Sequence, residues 1–293
     1  MTTNEAFWNQ GHDTWHSLRN ARTLPFGGVS KKIVGYWAPS ASYSARLAIV
    51  GAAGIKARRI YGNLTTAGSD QSGQITAAIS AGMLPVVSYK LGSVATITSA
   101  ATGAADAAAS ATASYLQGLG VPIAVSIWHE PEDDMTGAQY IAMHQRLIPF
   151  FASQSNLTVG PILHGFELDT PSGTTTFKSF IDTTLLTTVY DFFGIDTYQT
   201  GTNSVPGSII PGDRIPPLLS YLSSMGMAQM PVGIGEWNAW TTAGIASSGE
   251  TFLSTPNITW FCMWDSTSGV GQQLDGDRLT AFQAIKADVR AQQ

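Results

Sequence analysis

The sequence predicts an α/β protein built as one (β/α)8, or TIM, barrel over residues 32–293, preceded by an N-terminal arm at residues 1–31. Three observations predict it. Short apolar runs recur eight times after Lys32, separated by longer Ala-rich or amphipathic stretches. Most of these runs are continuously apolar rather than alternating, the pattern of strands buried on both faces. The chain has 293 residues, a length that suits a single barrel of this kind. Strand–helix pairs in succession favour a parallel sheet, and eight of them close a ring. An open doubly wound sheet would begin with a Gly-rich strand–turn–helix, and no GxGxxG follows the first run.

The arm carries Trp8 and Trp15, which suit packing onto a surface, and ends in the linker-like LPFGGVS. The strand runs are KIVGYW at 32–37, KARRIYG at 56–62, LPVVSY at 84–89 and PIAVSIW at 122–128. They continue with TVGPIL at 158–163, YDFFGID at 190–196, PVGIGEW at 231–237 and ITWFCMW at 258–264. Helices are expected at 44–54, 70–81, 103–118, 136–152, 174–186, 212–225 and 277–291. Thr136 is the expected N-cap of the fourth of these. The segment after the seventh run is Ser/Gly-rich and is expected to be shorter.

Composition narrows the function classes. Hydrophobic residues make up 44% of the chain and charged residues 12%, about half the usual charged share. The net charge is −5 with no basic stripe, which argues against nucleic acid and against anionic membrane surfaces as partners. The single cysteine, Cys262, lies in an apolar run and is expected to be buried and inert. The N-terminus lacks the basic-then-apolar pattern of a signal peptide, and no stretch of 18 apolar residues predicts membrane insertion. Localisation stays open, with extracellular or virion-associated action compatible with these features.

In such a barrel, function sits at the C-terminal ends of the strands. These ends read Tyr36-Trp37, Tyr61-Gly62-Asn63, Tyr89-Lys90, Trp128-His129-Glu130, His164, Asp196-Thr197-Tyr198, Glu236-Trp237-Asn238 and Trp264-Asp265. Aromatic rings stack on the C–H faces of sugars, and hydrolysis of a glycosidic bond needs two carboxyl groups flanking it. Glu130, after the fourth run, and Glu236, at the end of the seventh, face each other across the expected mouth. Glu130 is the expected acid/base, in an apolar setting that raises its pKa. Glu236 is the expected nucleophile, with Tyr198 donating to it. Asp196 is expected to orient His129 or a sugar hydroxyl. Tyr36, Trp37, Trp237 and Trp264, with Lys90, His129 and His164, complete the expected substrate contacts. The Arg58-Arg59 pair reads as structural charge near the carboxylates. Glu132, Asp133 and Asp134 read as a solvated loop.

These motifs resemble the clan A glycoside hydrolases, and within that clan family 26, the β-mannanase family. The resemblance rests on His129-Glu130 after the fourth strand, Asp196-Thr197-Tyr198 at the sixth, Glu236 within GIGEW at the seventh and Trp264 at the eighth. It covers residues 32–293 and implies an endo-acting retaining glycosidase on a polysaccharide or oligosaccharide. The WHEPEDDMTG segment replaces the family's aromatic-rich one, and the family's histidine near the third strand has no counterpart after Tyr89-Lys90. The mechanism therefore transfers, and the mannan substrate does not. The Ser/Thr/Ala-rich, Lys-poor composition resembles glycosidase-like tail modules of actinobacterial phages, which points to a larger virion or cell-surface assembly.

The alternatives are a carbohydrate-binding barrel without turnover and a barrel of other chemistry. An imine-forming aldolase needs a lysine near the sixth strand, which has none. Phosphate binders place Gly-rich loops where this chain has Glu236-Trp237-Asn238 and Trp264-Asp265. His12 and His16 in the arm lack nearby partners for a metal, and no metal or cofactor is expected.

Overall fold

The computed structural model describes residues 31–92, 97–266 and 272–292. The expectations for the N-terminal arm, Trp8, Trp15, His12 and His16 among them, lie outside these residues. Nine parallel strands form one sheet: β1 (Ile33–Trp37), β2 (Ala57–Asn63), β3 (Leu84–Lys90), β4 (Ile123–Ile127), β5 (Leu157–Val159), β6 (Ile162–His164), β7 (Phe193–Tyr198), β8 (Val232–Asn238) and β9 (Ile258–Trp264). β1 pairs with both β2 and β9, so the first and last strands of the chain join. The two ends of the strand order are β5 and β6, which are consecutive in sequence. Gly160 and Pro161 link them, and this short link closes the ring.

The expected fifth strand is therefore split, for a physical reason. Pro161 has no N–H to give a ladder. A Cβ on Gly160 would sit 2.1 Å from the carbonyl oxygen of Phe192, so only glycine fits there. The ring stays bonded on either side, through Gly160 N to Val125 O at 3.2 Å and Gly194 N to Pro161 O at 2.9 Å.

Helices α1 (Tyr43–Val50), α2 (Ser72–Ser80), α3 (Ile97–Ala101), α4 (Asp106–Gly118) and α5 (Gly137–Ala152) cover the first half. Then come α6 (Pro171–Ser179), α7 (Thr183–Thr188), α8 (Ile215–Ser224), α9 (Thr242–Ser254) and α10 (Gly276–Ala287). Thr136 caps α5 as expected, in a reciprocal box with Gln139. The helix expected at 174–186 is two helices, because the Asp182 carboxyl accepts from Leu185 N at 2.7 Å and starts α7 afresh. The Ser/Gly-rich segment after β8 is a full 13-residue helix, α9. Its glycines serve close packing: a Cβ on Gly249 would meet Ile285 of α10 at 2.2 Å. Among the described residues, no helix is long and apolar enough to cross a membrane.

Inside the ring, Ile33, Ala57, Leu84, Val86, Ala124, Ile162, Phe192, Trp260 and Cys262 form a dry plug. Cys262 is fully buried, and burial pushes its thiol up to about 12, which keeps it protonated and inert as expected. One strand step above the plug, Arg59, Ser88, Ser126 and Asp196 form a buried polar layer. One step further, Tyr61, Lys90 and Tyr198 reach the open end. The period of two along each strand produces this gradient from apolar to polar to accessible.

Candidate active site

A cavity of about 510 Å3 opens at the C-terminal ends of the strands. Glu130, Glu236, His129, His164, Lys90, Tyr198 and Trp264, all expected from the sequence, line it. Tyr61, Asn63, Ser88 and Phe166 line it too.

Glu236 enters from β8. The strand pairing shifts register between Ile234 and Trp237, and β7 shifts between Ile195 and Asp196. These irregularities set Glu236 facing inward, directly opposite Asp196 in the ladder. Gly235 makes room, since a Cβ there would lie 2.3 Å from Asp196 Oδ1. Tyr61 donates its hydroxyl to Glu236 Oε1, and Tyr198 donates to Oε2. Each carboxyl oxygen of Glu236 is thus held by one phenol hydroxyl, which fixes the orientation of the group.

Glu130 stands on a strained turn beyond β4. Trp128 has φ +56° and Glu130 has φ +50°, both in the left-handed region that side chains other than glycine rarely adopt. Trp128 N still donates to Tyr89 O of β3 at 2.8 Å, whereas Glu130 N donates across to Ile162 O of β6 at 3.0 Å. About a third of the Glu130 side chain, 32%, is open to the cavity. Burial pushes its carboxyl up to about 8, with the negative charges of Glu236 and Glu132 adding to the effect. His164 Nε2 lies 3.8 Å from Glu130 Oε1, beyond hydrogen-bond range, and burial lowers the imidazole toward its neutral form. Asp134 fixes the other side of the turn, accepting from Trp128 Nε1 at 2.8 Å and Lys90 Nζ at 3.1 Å.

The polar layer beneath sets the charge. Arg59 is fully buried, donates to Ser88 Oγ at 2.6 Å and lies 4.5 Å from the centre of the Tyr61 ring. Its Nη2 is 4.0 Å from Asp196 Oδ2, too far for a hydrogen bond. Burial, Glu236 and Glu130 together hold the Asp196 carboxyl well above the usual range, and Arg59 at that distance does not outweigh them. The Arg59 guanidinium lies within electrostatic reach of both Asp196 and Glu236. His129 packs its ring 5.0 Å from that of Tyr61 and is held neutral by burial, then by Arg59 and Lys90.

Aromatic residues form one wall. Trp37 and Trp264 stack at 3.6 Å and 9°, with Tyr61 edge-on to both. Trp264 faces the cavity and Trp37 backs it. Phe166, on the turn after β6, packs 4.8 Å from His164.

Three expected contacts are corrected. Tyr36 is 0% exposed and points outward against Tyr43 of α1, where its hydroxyl donates to Asp265. Trp237 is 0% exposed and packs edge-on against Phe252, Phe261 and Phe282 in the helix layer. Each is one residue out of phase with an inward neighbour, Trp37 and Glu236 respectively, and a strand turns alternate residues to opposite faces. Asp196 faces inward but is 0% exposed below the cavity floor, so a sugar hydroxyl does not reach it. Glu132 is also corrected: it is part-buried, and its Oε1 accepts from His164 N at 2.9 Å. Of the Arg58-Arg59 pair expected near the carboxylates, Arg59 lies there, whereas Arg58 turns outward, donating to Gln74 Oε1 at 3.0 Å and lying 3.8 Å from the centre of the Tyr43 ring. Tyr61 stood at a strand end in the sequence, but nothing there marked it as the second holder of Glu236.

No group of three His, Cys, Asp or Glu side chains placed to hold a metal occurs among the described residues. The chain matches no family model and no curated protein by sequence. Its fold matches many solved structures. A fungal β-1,4-galactanase aligns over 88% of this chain and 100% of its own, with TM-score 0.61 and 12% identity. Thermotoga maritima Cel5A, solved with mannotriose, aligns over 88% and 99%, with TM-score 0.58 and 12% identity. A Bacillus subtilis mannanase aligns over 91% and 89%, with TM-score 0.52 and 12% identity. These neighbours are glycoside hydrolases of several kinds, a galactanase, a mannanase, a GH18 chitinase and a GH10 xylanase among them, and the chain shares their fold.

Proposed function

We propose that the chain hydrolyses glycosidic bonds with retention of anomeric configuration, with Glu130 as acid/base and Glu236 as nucleophile. One observation carries this reading: two glutamates line one cavity in opposite settings, one held protonated by burial and like charge, the other accepting from two tyrosine hydroxyls. Pairs of carboxyls driven apart in this way divide acid and nucleophile roles.

The first step breaks the bond between the anomeric carbon and the bridging oxygen. Glu130 gives its proton to that oxygen, which leaves with the bonding electron pair as an alcohol. Glu236 bonds to the anomeric carbon and forms an ester. In the second step Glu130, now a carboxylate, removes a proton from water. The water oxygen attacks the anomeric carbon and frees Glu236. Tyr61 and Tyr198 orient the nucleophile throughout, and Arg59 below supports its charge. Trp264, backed by Trp37, offers a sugar platform, and His129, His164, Lys90 and Asn63 offer polar contacts.

The neighbours' galactan- and mannan-type substrates open the test panel, with xylan and chitin beside them. Wild-type protein releases reducing ends from one of these, Glu236→Ala does not, and proton NMR of the first product shows the starting anomer. Binding without release across the panel, with wild type and Glu236→Ala alike, supports instead a carbohydrate-binding barrel without turnover.

A further inference from the structure

Glu132 stands where the barrel wall is discontinuous. β4 pairs with β5 only from Ile123 to Val125, and β6 pairs with β7. The next carbonyl of β4, Ile127 O, accepts from His144 Nε2 at 2.7 Å rather than from β6. The His144 ring is fixed in that role, because its Nδ1 accepts from the Tyr190 hydroxyl at 2.7 Å. Above this point, among the described residues, two hydrogen bonds tie the Glu130 turn to β6. One is Glu130 N to Ile162 O at 3.0 Å, and the other is His164 N to Glu132 Oε1 at 2.9 Å. The Glu132 carboxyl thus occupies the place of a ladder carbonyl. It spans the seam between the residue that bears Glu130 and the residue whose imidazole faces it.

We propose that Glu132 is a positioning residue for Glu130: it clasps the strained turn to β6 and adds a negative charge behind the acid. This inference rests on the assignment of Glu130 as acid/base. Glu132 Oε2 is buried, and among the described residues no other side chain donates to it. The groups facing the pair are Asp133 on the same loop, His164 at the end of β6, Glu167 after it, Tyr140 on α5, Lys90 on β3, Arg59 on β2, Asp196 and Tyr198 on β7 and Glu236 on β8. Burial raises the Glu132 carboxyl to about 7, with Glu167 and Asp133 adding to it. When ionised, Glu132 opposes loss of the Glu130 proton.

Two variants separate clasp from charge. Glu132→Gln keeps a carbonyl acceptor for His164 N and removes the charge, whereas Glu132→Ala removes both. Carboxyl 13C NMR of glutamate-labelled protein reads the Glu130 titration, and amide exchange reads the His164 N–H; neither needs a substrate. The Glu130 midpoint moves down in Glu132→Gln while the His164 amide stays protected, and in Glu132→Ala that amide exchanges faster. On an unactivated oligosaccharide from the active panel, kcat falls about 100-fold in Glu132→Ala, as misplacement of an acid by an ångström does. It stays within about threefold in Glu132→Gln below the basic limb, and kcat/KM on a dinitrophenyl glycoside, whose departure needs no acid, stays near wild type in both variants. An unchanged Glu130 midpoint in Glu132→Gln with unchanged His164 exchange in Glu132→Ala overturns the proposal. A shifted midpoint and faster exchange in a protein that cleaves no sugar support the clasp and count against the hydrolase reading instead.

Discussion

Glu130 and Glu236 have the same side chain and share a cavity, but Glu130 is raised to about 8 while Glu236 is gripped by Tyr61 and Tyr198. Activity is expected to fall as pH rises through about 8, because Glu130 then loses the proton it must donate; a kcat/KM profile checks this. Glu130→Gln should lose about 100-fold or more on unactivated substrates and far less on dinitrophenyl glycosides, as read by comparing kcat/KM on the two. Tyr61→Phe and Tyr198→Phe each remove one donor from Glu236 and should each lower kcat about tenfold or more, with KM little changed. At this scale the sequence made much of the site legible. Glu130, Glu236 and Tyr198 could be read from their places at strand ends. Tyr61 could not, because its partner is set by the curvature of the ring and not by its neighbours in the chain. Asp196 was visible as a strand-end carboxyl, but it lies one strand step below Tyr198 in the buried polar layer, and nothing in the run marks where the cavity floor falls.

Along the strands, phase decides which residues serve the cavity. Trp237 follows Glu236 directly and turns to the helices, whereas Trp264 ends β9 facing inward. Trp237→Ala should therefore cost about 3–5 kcal/mol of stability in denaturant melts. Trp264→Ala should leave the melt nearly unchanged and raise KM, a contrast that equal effects in the two variants would contradict. Gly235→Ala drives a methyl against Asp196 and should destabilise by about 1–3 kcal/mol while lowering activity through a displaced Glu236. The strand runs were readable to within a few residues because each is apolar on both faces. The break at Gly160-Pro161 was visible as a dipeptide, but not as the closing link of the ring. The Ser/Gly-rich stretch after β8 read as short because local propensity disfavours a helix there, and packing of Gly249 against Ile285 overrides it.

Across the molecule, the site draws on folding stability. The folded protein holds the Glu130 proton up to about pH 8, whereas an exposed glutamate releases it near 4.5. The folded state thus binds more protons between these limits, and this group's contribution to stability is full below 4.5 and falls as pH rises through about 8. Glu130→Gln escapes that loss. Its Tm advantage over wild type should grow from about pH 5 to about pH 8.5, measured calorimetrically at both. The left-handed turn at Trp128 and Glu130 is a second local cost, borne by a barrel whose plug and helix layer are otherwise dry.

The most direct test is intact-protein and peptide mass spectrometry after incubation with a 2-fluoro glycoside matched to the active sugar. Such a probe forms the ester with the nucleophile and slows its hydrolysis. The account predicts one added glycosyl group, mapped to Glu236 and absent in Glu236→Ala. A stable label on any other residue, or turnover of the same sugar with no ester ever trapped and with inverted product, would contradict it.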